Sequence, residues 1–154
     1  MAAMLRQQLN DALKTAMLSK DARSVSTVRL ILAALKDRDI AARPRGVTDG
    51  IPEEEILSML QSMMKQRRES IALYEQGGRL ELAQQEAEEI TIIERFLPAQ
   101  FSEEQVAEVV KTVIAEIGAQ GLKDMGRTMA ALKERYAGQM DFTKASATVK
   151  AHLA

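Results

Sequence analysis

Lys65-Gln-Arg-Arg68 is the densest cationic cluster of the chain. Such a run can hold phosphate oxygens, pair with carboxylates, or only solvate a helix face. Counting about 100° per residue from Ile56 gathers Met59, Leu60, Met63 and Met64 on one apolar face. On that wheel Arg67 falls about 20° from Ile56, on the apolar face, while Lys65 points almost directly away. A charge on an apolar face needs a partner. Glu86 stands on a matching stripe of Ala83, Ala87, Ile90, Ile93 and Leu97. If the chain reverses at Gly77-Gly78, helix rise brings Arg67 level with roughly residue 88, within side-chain reach of Glu86. The spacing therefore predicts an inward Arg67–Glu86 ion pair that fixes hairpin register, in preference to an anion site at Arg67. Lys65 and Arg68 face outward, as a secondary cationic surface able to touch phosphate or as a plain solvated face.

Charge is uneven further along. Residues 99–121 hold four acids (Glu103, Glu104, Glu108, Glu116) and one base, Lys111; from Leu122 onward six bases stand against three acids. Lys123 and Arg127 fall opposite a Met125–Met129–Leu132 face, Lys133 and Arg135 flank it, and Lys144 and Lys150 follow on the last helix. A cationic helical surface can hold an RNA backbone without reading bases. Lys123, Arg127, Lys133, Lys144 and Lys150 are the candidate RNA contacts, with an ordinary mixed surface as the alternative.

Other chemistries find few residues. Across 154 residues, 21 Lys and Arg against 22 Asp and Glu give a net charge of −1, so any nucleic-acid site is local. Cysteine is absent, which removes disulfides, thiolate ligands and cysteine nucleophiles. The one histidine, His152, reads as a surface residue near a helix C-terminus, where positive charge is welcome. Five aromatic residues and no Trp argue against a base-stacking platform. Gly118-Ala-Gln-Gly121 lacks the ending of a phosphate loop, and no serine has a nucleophile-elbow setting. No catalytic residue, metal or cofactor is assigned. The start of the chain has no apolar run suited to a leader, and Leu30–Leu35 is far too short to span a membrane. The expectation is a cytoplasmic protein.

Periodicity supplies seven helical segments and no strand. The first runs from about Met4 to Leu18, with Leu5, Leu9, Ala12, Leu13, Ala16 and Met17 on one face. Asp21 caps the second, Ala22 to Ala42, striped by Val28, Ile31, Leu32 and Leu35. Residues 43–51 read as a mobile loop. Pro52 and three glutamates open a third helix to Gln76, and a fourth follows from about Arg79 to Phe96. Pro98 ends this region. Ser102-Glu-Glu-Gln105 is a capping box for helix five, whose Val106, Val109, Val110, Val113, Ile114 and Ile117 make the cleanest amphipathic pattern. Asp124 and Asp141 are candidate caps for helices six and seven. The expected fold is all-α: an N-terminal helical domain (1–97) with a long antiparallel hairpin, then a C-terminal three-helix bundle (98–154).

With these blocks assembled, the chain resembles the GatB/YqeY family, small helical proteins that share a tail domain with the B subunit of glutamyl/aspartyl-tRNA amidotransferase. The resemblance runs from Leu5 to Leu153. It rests on Lys65-Gln-Arg-Arg-Glu-Ser70, Tyr74-Glu-Gln-Gly-Gly-Arg79, Phe96-Leu-Pro-Ala-Gln100, Asp124-Met-Gly-Arg-Thr-Met129 and Val149-Lys150. Residues 137–142 match less well, where a more basic turn is expected. The resemblance implies a tail that helps position tRNA, with phosphorylation and amide formation belonging to a separate catalytic domain. Three functions follow. The first is a non-catalytic tRNA-associated module. The second is an adaptor that meets a protein partner through the Met-bearing hairpin. The third is an amidotransferase-linked factor, for which a carbon–nitrogen ligase label with glutamine as amido-N-donor would be inherited from the family.

Overall fold

Apolar residues at helical spacing, interrupted by Gly, Pro and capping side chains, build seven α-helices among residues 4–154, the portion that the computed structural model describes. Met1–Ala3, the first residues of the stretch read for a leader, lie outside it. The helices are α1 (Leu5–Leu18), α2 (Ala22–Ala42), α3 (Glu53–Gln76), α4 (Leu80–Glu94), α5 (Glu103–Ile117), α6 (Met125–Tyr136) and α7 (Phe142–Leu153). No strand occurs among the described residues. The chain separates into two compact units, Met1–Leu97 and Pro98–Ala154.

In the first unit, α1 to α4 surround a core of Leu5, Leu9, Ile31, Leu35, Ile56, Met59, Leu60, Met63, Met64 and Ile93. The methionines are therefore packing residues: Met59, Met63 and Met64 are buried, which withdraws them as an exposed partner groove. Met17 departs from the predicted stripe and is exposed, in the last turn of α1. Asp21 caps α2, accepting from the Ser24 N–H at 3.2 Å and the Ser24 hydroxyl at 2.7 Å. This holds its carboxyl below the usual range, with the Ser24 hydroxyl as the main cause. The 24 residues of α3 span about 36 Å. Gly78, at φ +72°, lets α3 reverse into α4, and the Arg79 N–H closes the turn on the Tyr74 carbonyl at 2.8 Å.

The 43–51 segment begins with a 3-10 turn, Arg43–Arg45, and its far end is anchored. Ile51 is buried and donates its N–H to Asp39 at 2.9 Å. Arg6 grips both Asp39 oxygens at 2.8 and 2.7 Å and also donates to the Ile51 carbonyl at 3.1 Å. A sequence rich in Gly and charge reads as a free loop, because its restraint comes from α1, more than forty residues away in sequence.

In the second unit, Val110, Val113, Leu132, Met140, Ala145, Val149 and Leu153 form the core. Ser102 and Gln105 make a reciprocal capping box, with bonds of 3.2 and 2.9 Å. Gly118, at φ +68°, ends α5. Asp141 caps α7 by accepting from the Thr143 N–H at 2.9 Å. Asp124 does not cap α6. It closes a 3-10 turn, Leu122–Asp124, that runs straight into the helix, so its carboxylate turns back to the Gln120 N–H at 2.9 Å. The loosely matching segment 137–142 serves as a packing junction. Met140 is buried, the Gly138 carbonyl accepts from the Gln100 amide at 2.6 Å, and the Gln139 carbonyl accepts from the Phe101 N–H at 2.9 Å.

Candidate functional site

On the tail unit, the apolar seams of α6 and α7 leave their polar arcs to solvent, and the lysines stand there. Lys123, Lys133, Lys144 and Lys150 are exposed, and among the described residues none makes an ion pair. The arginines are committed elsewhere. Arg127 donates to the Ile117 carbonyl at 3.2 Å, satisfying an orphan acceptor at the C-terminus of α5, and meets Asp124 at 3.2 Å. Asp124 is held below the usual carboxylate range, first by the Gln120 N–H and then by Arg127 and Lys123. Arg135 pairs with Glu116 across from α5. Arg127 thus differs from the other four candidates: its guanidinium links the end of α5 to the start of α6.

The five positions do not form one compact patch. Six residues separate Arg127 from Lys133, and six separate Lys144 from Lys150, which is about 9 Å along each axis and about 120° around it. Lys150 also sits in the last turn of α7, where it complements the helix dipole.

On α3, Lys65 and Arg68 are exposed and make no ion pair among the described residues. Between them Arg67 turns inward, its side chain 13% exposed. Its Nε donates to Glu89 at 2.9 Å, and Glu86 lies at 3.9 Å. Nη1 donates to the Met63 carbonyl at 3.2 Å. The tighter partner, Glu89, is one that sequence reasoning missed. Helix α4 packs on α2 as well as on α3, so its buried arc reaches Ile92 and Glu89 beyond the predicted stripe. Glu86 is left as the second carboxylate on one guanidinium. Burial raises its pKa first and the neighbouring Glu89 charge adds to that, together outweighing the pull of Arg67.

Among the described residues no group of three or more His, Asp or Glu is placed to hold a metal ion. No helix there is long and apolar enough to cross a membrane. The exposed cations offer electrostatic binding of anions.

Comparison with known proteins bears on the whole length. The profile described as Yqey-like protein matches residues 6–153. Three fungal proteins named "Altered inheritance of mitochondria protein 41, mitochondrial" are similar in sequence. That of Kluyveromyces lactis is 31% identical over 106 residues, covering 67% of this chain and 55% of its own. That of Eremothecium gossypii is 36% identical over 91 residues, 59% of this chain and 48% of its own. That of Meyerozyma guilliermondii is 39% identical over 87 residues, 55% and 42%. The chain spans about half the length of these curated relatives.

Proposed function

The chain belongs to the YqeY-like protein family, and from that premise we propose that it is a non-catalytic, tRNA-associated helical module whose tail unit holds the RNA backbone. The contacts are Lys123, Lys133, Lys144 and Lys150, with Arg127 maintaining the turn that carries Lys123. The observation that supports this reading is the division of labour in the tail. Its arginines pair with Asp124 and Glu116, while Lys123, Lys133, Lys144 and Lys150 are exposed and make no ion pair among the described residues. An ammonium is a compact point charge suited to phosphate and carries no base preference. Lys65 and Arg68 supply a secondary cationic surface. The compartment that goes with this reading is the cytoplasm, although the relatives carry "mitochondrial" in their names.

The test is tRNA binding by the full chain across a salt titration. Each phosphate contact contributes about 0.9 to the log–log slope on a duplex backbone. Replacing Lys123, Lys133, Lys144 and Lys150 together by Ala should flatten the slope by about three to four and weaken binding alike for different tRNA sequences. A slope unchanged by the fourfold replacement, or no binding at low salt, refutes the reading.

A second reading, the protein-interaction adaptor, has its own observation. Leu73 and Leu80 flank the hairpin turn and are 68% and 66% exposed. They take over the role given to the buried methionines. A partner captured by the full chain and lost on Leu73→Asp with Leu80→Asp would favour it.

A further inference from the structure

The first unit carries a cationic line of its own. On α2 and its C-terminal cap, Arg29, Lys36 and Arg43 recur at seven-residue intervals. Each step is about 10.5 Å along the axis with a drift of about 20° around it, so the three stand within about 40° of one another over about 21 Å. Arg43 keeps helical angles, φ −55° and ψ −44°, so the spacing holds to its last member. Burial of Val28, Ile31 and Leu35 on the inward side turns this line to solvent. All three cations are exposed, and none makes an ion pair among the described residues.

The neighbouring charges leave the line uncompensated. Arg23 and Arg45, which flank it in sequence, are spent on Glu88 and Glu55. Arg38 falls about 180° from Arg29, on another side of the helix. The two acids of α2, Asp37 and Asp39, stand about 80° to either side of Arg29. Asp39 is gripped through both oxygens by Arg6, and Arg43 acts on it only from beyond ion-pair distance.

Geometry then selects the ligand class. A free phosphate or a nucleotide cannot touch Arg29 and Arg43 at once across about 21 Å. A partner helix or a lipid surface would need a continuous apolar strip among the charges. The exposed large apolar residues of α2, Leu30 and Ile40, stand ten residues and about 80° apart and do not make one. Single-stranded RNA is held largely by stacking on aromatic rings, and α2 has none. A stiff polyanion gripped through its backbone meets all of these conditions.

We propose that the Arg29–Lys36–Arg43 line is a contact for the phosphate backbone of double-stranded RNA, additional to the tail lysines. It takes from the tRNA reading only the class of polyanion, and none of its contact residues. Arginine at the two ends can fork onto two oxygens of one phosphate, and Ala33 and Ile40 between the cations bring no charge that would repel the backbone.

The test uses the full chain with four probes: a short blunt RNA duplex, one of its strands alone, polyglutamate, and phosphatidylcholine vesicles containing anionic phosphatidylserine. Arg29→Ala, Lys36→Ala and Arg43→Ala are combined in one variant and compared with the fourfold tail lysine variant. Alanine is the best helix former, so the threefold variant should keep its circular dichroism spectrum. It should lower the log–log salt slope for the duplex by about 2.7, at about 0.9 per contact. Arg29→Lys with Arg43→Lys, which keeps the charges, should leave that slope in place. An unchanged slope in the threefold variant, with a flattened one in the tail variant, overturns the line and leaves the tail reading standing. The converse sustains the line and removes the tail contacts. A single strand bound as tightly as the duplex, and weakened equally, overturns the duplex assignment. Loss of polyglutamate or vesicle binding without loss of duplex binding overturns it in favour of an acidic protein or a lipid surface. No duplex binding at low salt also overturns the line, and the tail reading is then decided by tRNA alone.

Discussion

Gly50→Ala should cost far more than an exposed loop substitution does, and its cost should depend on a residue in α1. Gly50 has φ +97°, and a Cβ there would stand 2.5 Å from Arg6 Nη2 and 2.9 Å from Arg6 Cζ. Two penalties follow. Placing an L-residue at positive φ costs about 1–2 kcal/mol. The added methyl also drives the Arg6 guanidinium off Asp39, removing a bidentate ion pair and the bond to the Ile51 carbonyl. Hydrogen bonds to charged groups are worth about 1.5–3 kcal/mol, and this pair falls near the lower end because its side chains are 34% and 23% exposed. Gly50→Ala should therefore cost about 3 kcal/mol and Arg6→Ala about 2. The double variant should also cost about 3, because without Arg6 only the backbone penalty remains, a coupling of about 2 kcal/mol. Two compact units need not unfold together, so the assay is urea-dependent hydrogen exchange followed on α1 to α3 peptides. Arg6 holds the Asp39 carboxyl well below its ordinary range, the hydrogen bond being the main cause. Stability from a depressed carboxyl is present above its unfolded-state value and lost as pH falls through the folded one, so the coupling should shrink in acid. Additive costs, with coupling below about 0.5 kcal/mol, would refute the steric account.

Glu86 and Glu89 should respond in opposite senses. Glu86 has a folded pKa raised by burial and by Glu89, so its contribution is complete below the unfolded-state value and is lost as pH rises through the folded one. Glu86→Gln should then stabilise the hairpin near neutral pH and lose that advantage in acid, as read by thermal melts across pH. Glu89→Gln, which weakens the 2.9 Å bond from Arg67, should destabilise by about 1.5–3 kcal/mol at neutral pH. Arg127→Ala should raise exchange of the Gly118–Asp124 amides and, by freeing the turn that carries Lys123, lower the tRNA salt slope by no more than that one contact, about 0.9. Lys123→Ala should lower the slope by about 0.9 and leave that exchange unchanged.

What was legible in the sequence tracks how local its cause is. Asp21, the Ser102–Gln105 box and the double glycine after Gln76 act within four residues, and each is where the chain pattern puts it. The methionines of α3 were legible as a face but not as the inside of a four-helix core, since periodicity does not say what covers a stripe. The ion-pair partner of Arg67 depended on a third helix: α2 against α4 turns Glu89 inward and leaves Glu86 farther from the guanidinium, a shift of three residues that an isolated hairpin cannot reveal. The same logic governs the candidate site. Sequence could find the cations of α6 and α7 but could not sort them. That depended on Gly121-Leu-Lys-Asp124 folding as a 3-10 turn, which swings Asp124 away from its capping role and toward Arg127. Once that turn forms, Arg127 holds the end of α5 and Asp124, whereas Lys123, Lys133, Lys144 and Lys150 are exposed and make no ion pair among the described residues. Composition counts Arg127 and Lys123 as equal, whereas the fold gives one a carbonyl and a carboxylate to hold and leaves the other to solvent. A binding experiment that treats them as a pair would confound loss of a phosphate contact with loss of the turn, so the two substitutions have to be made separately.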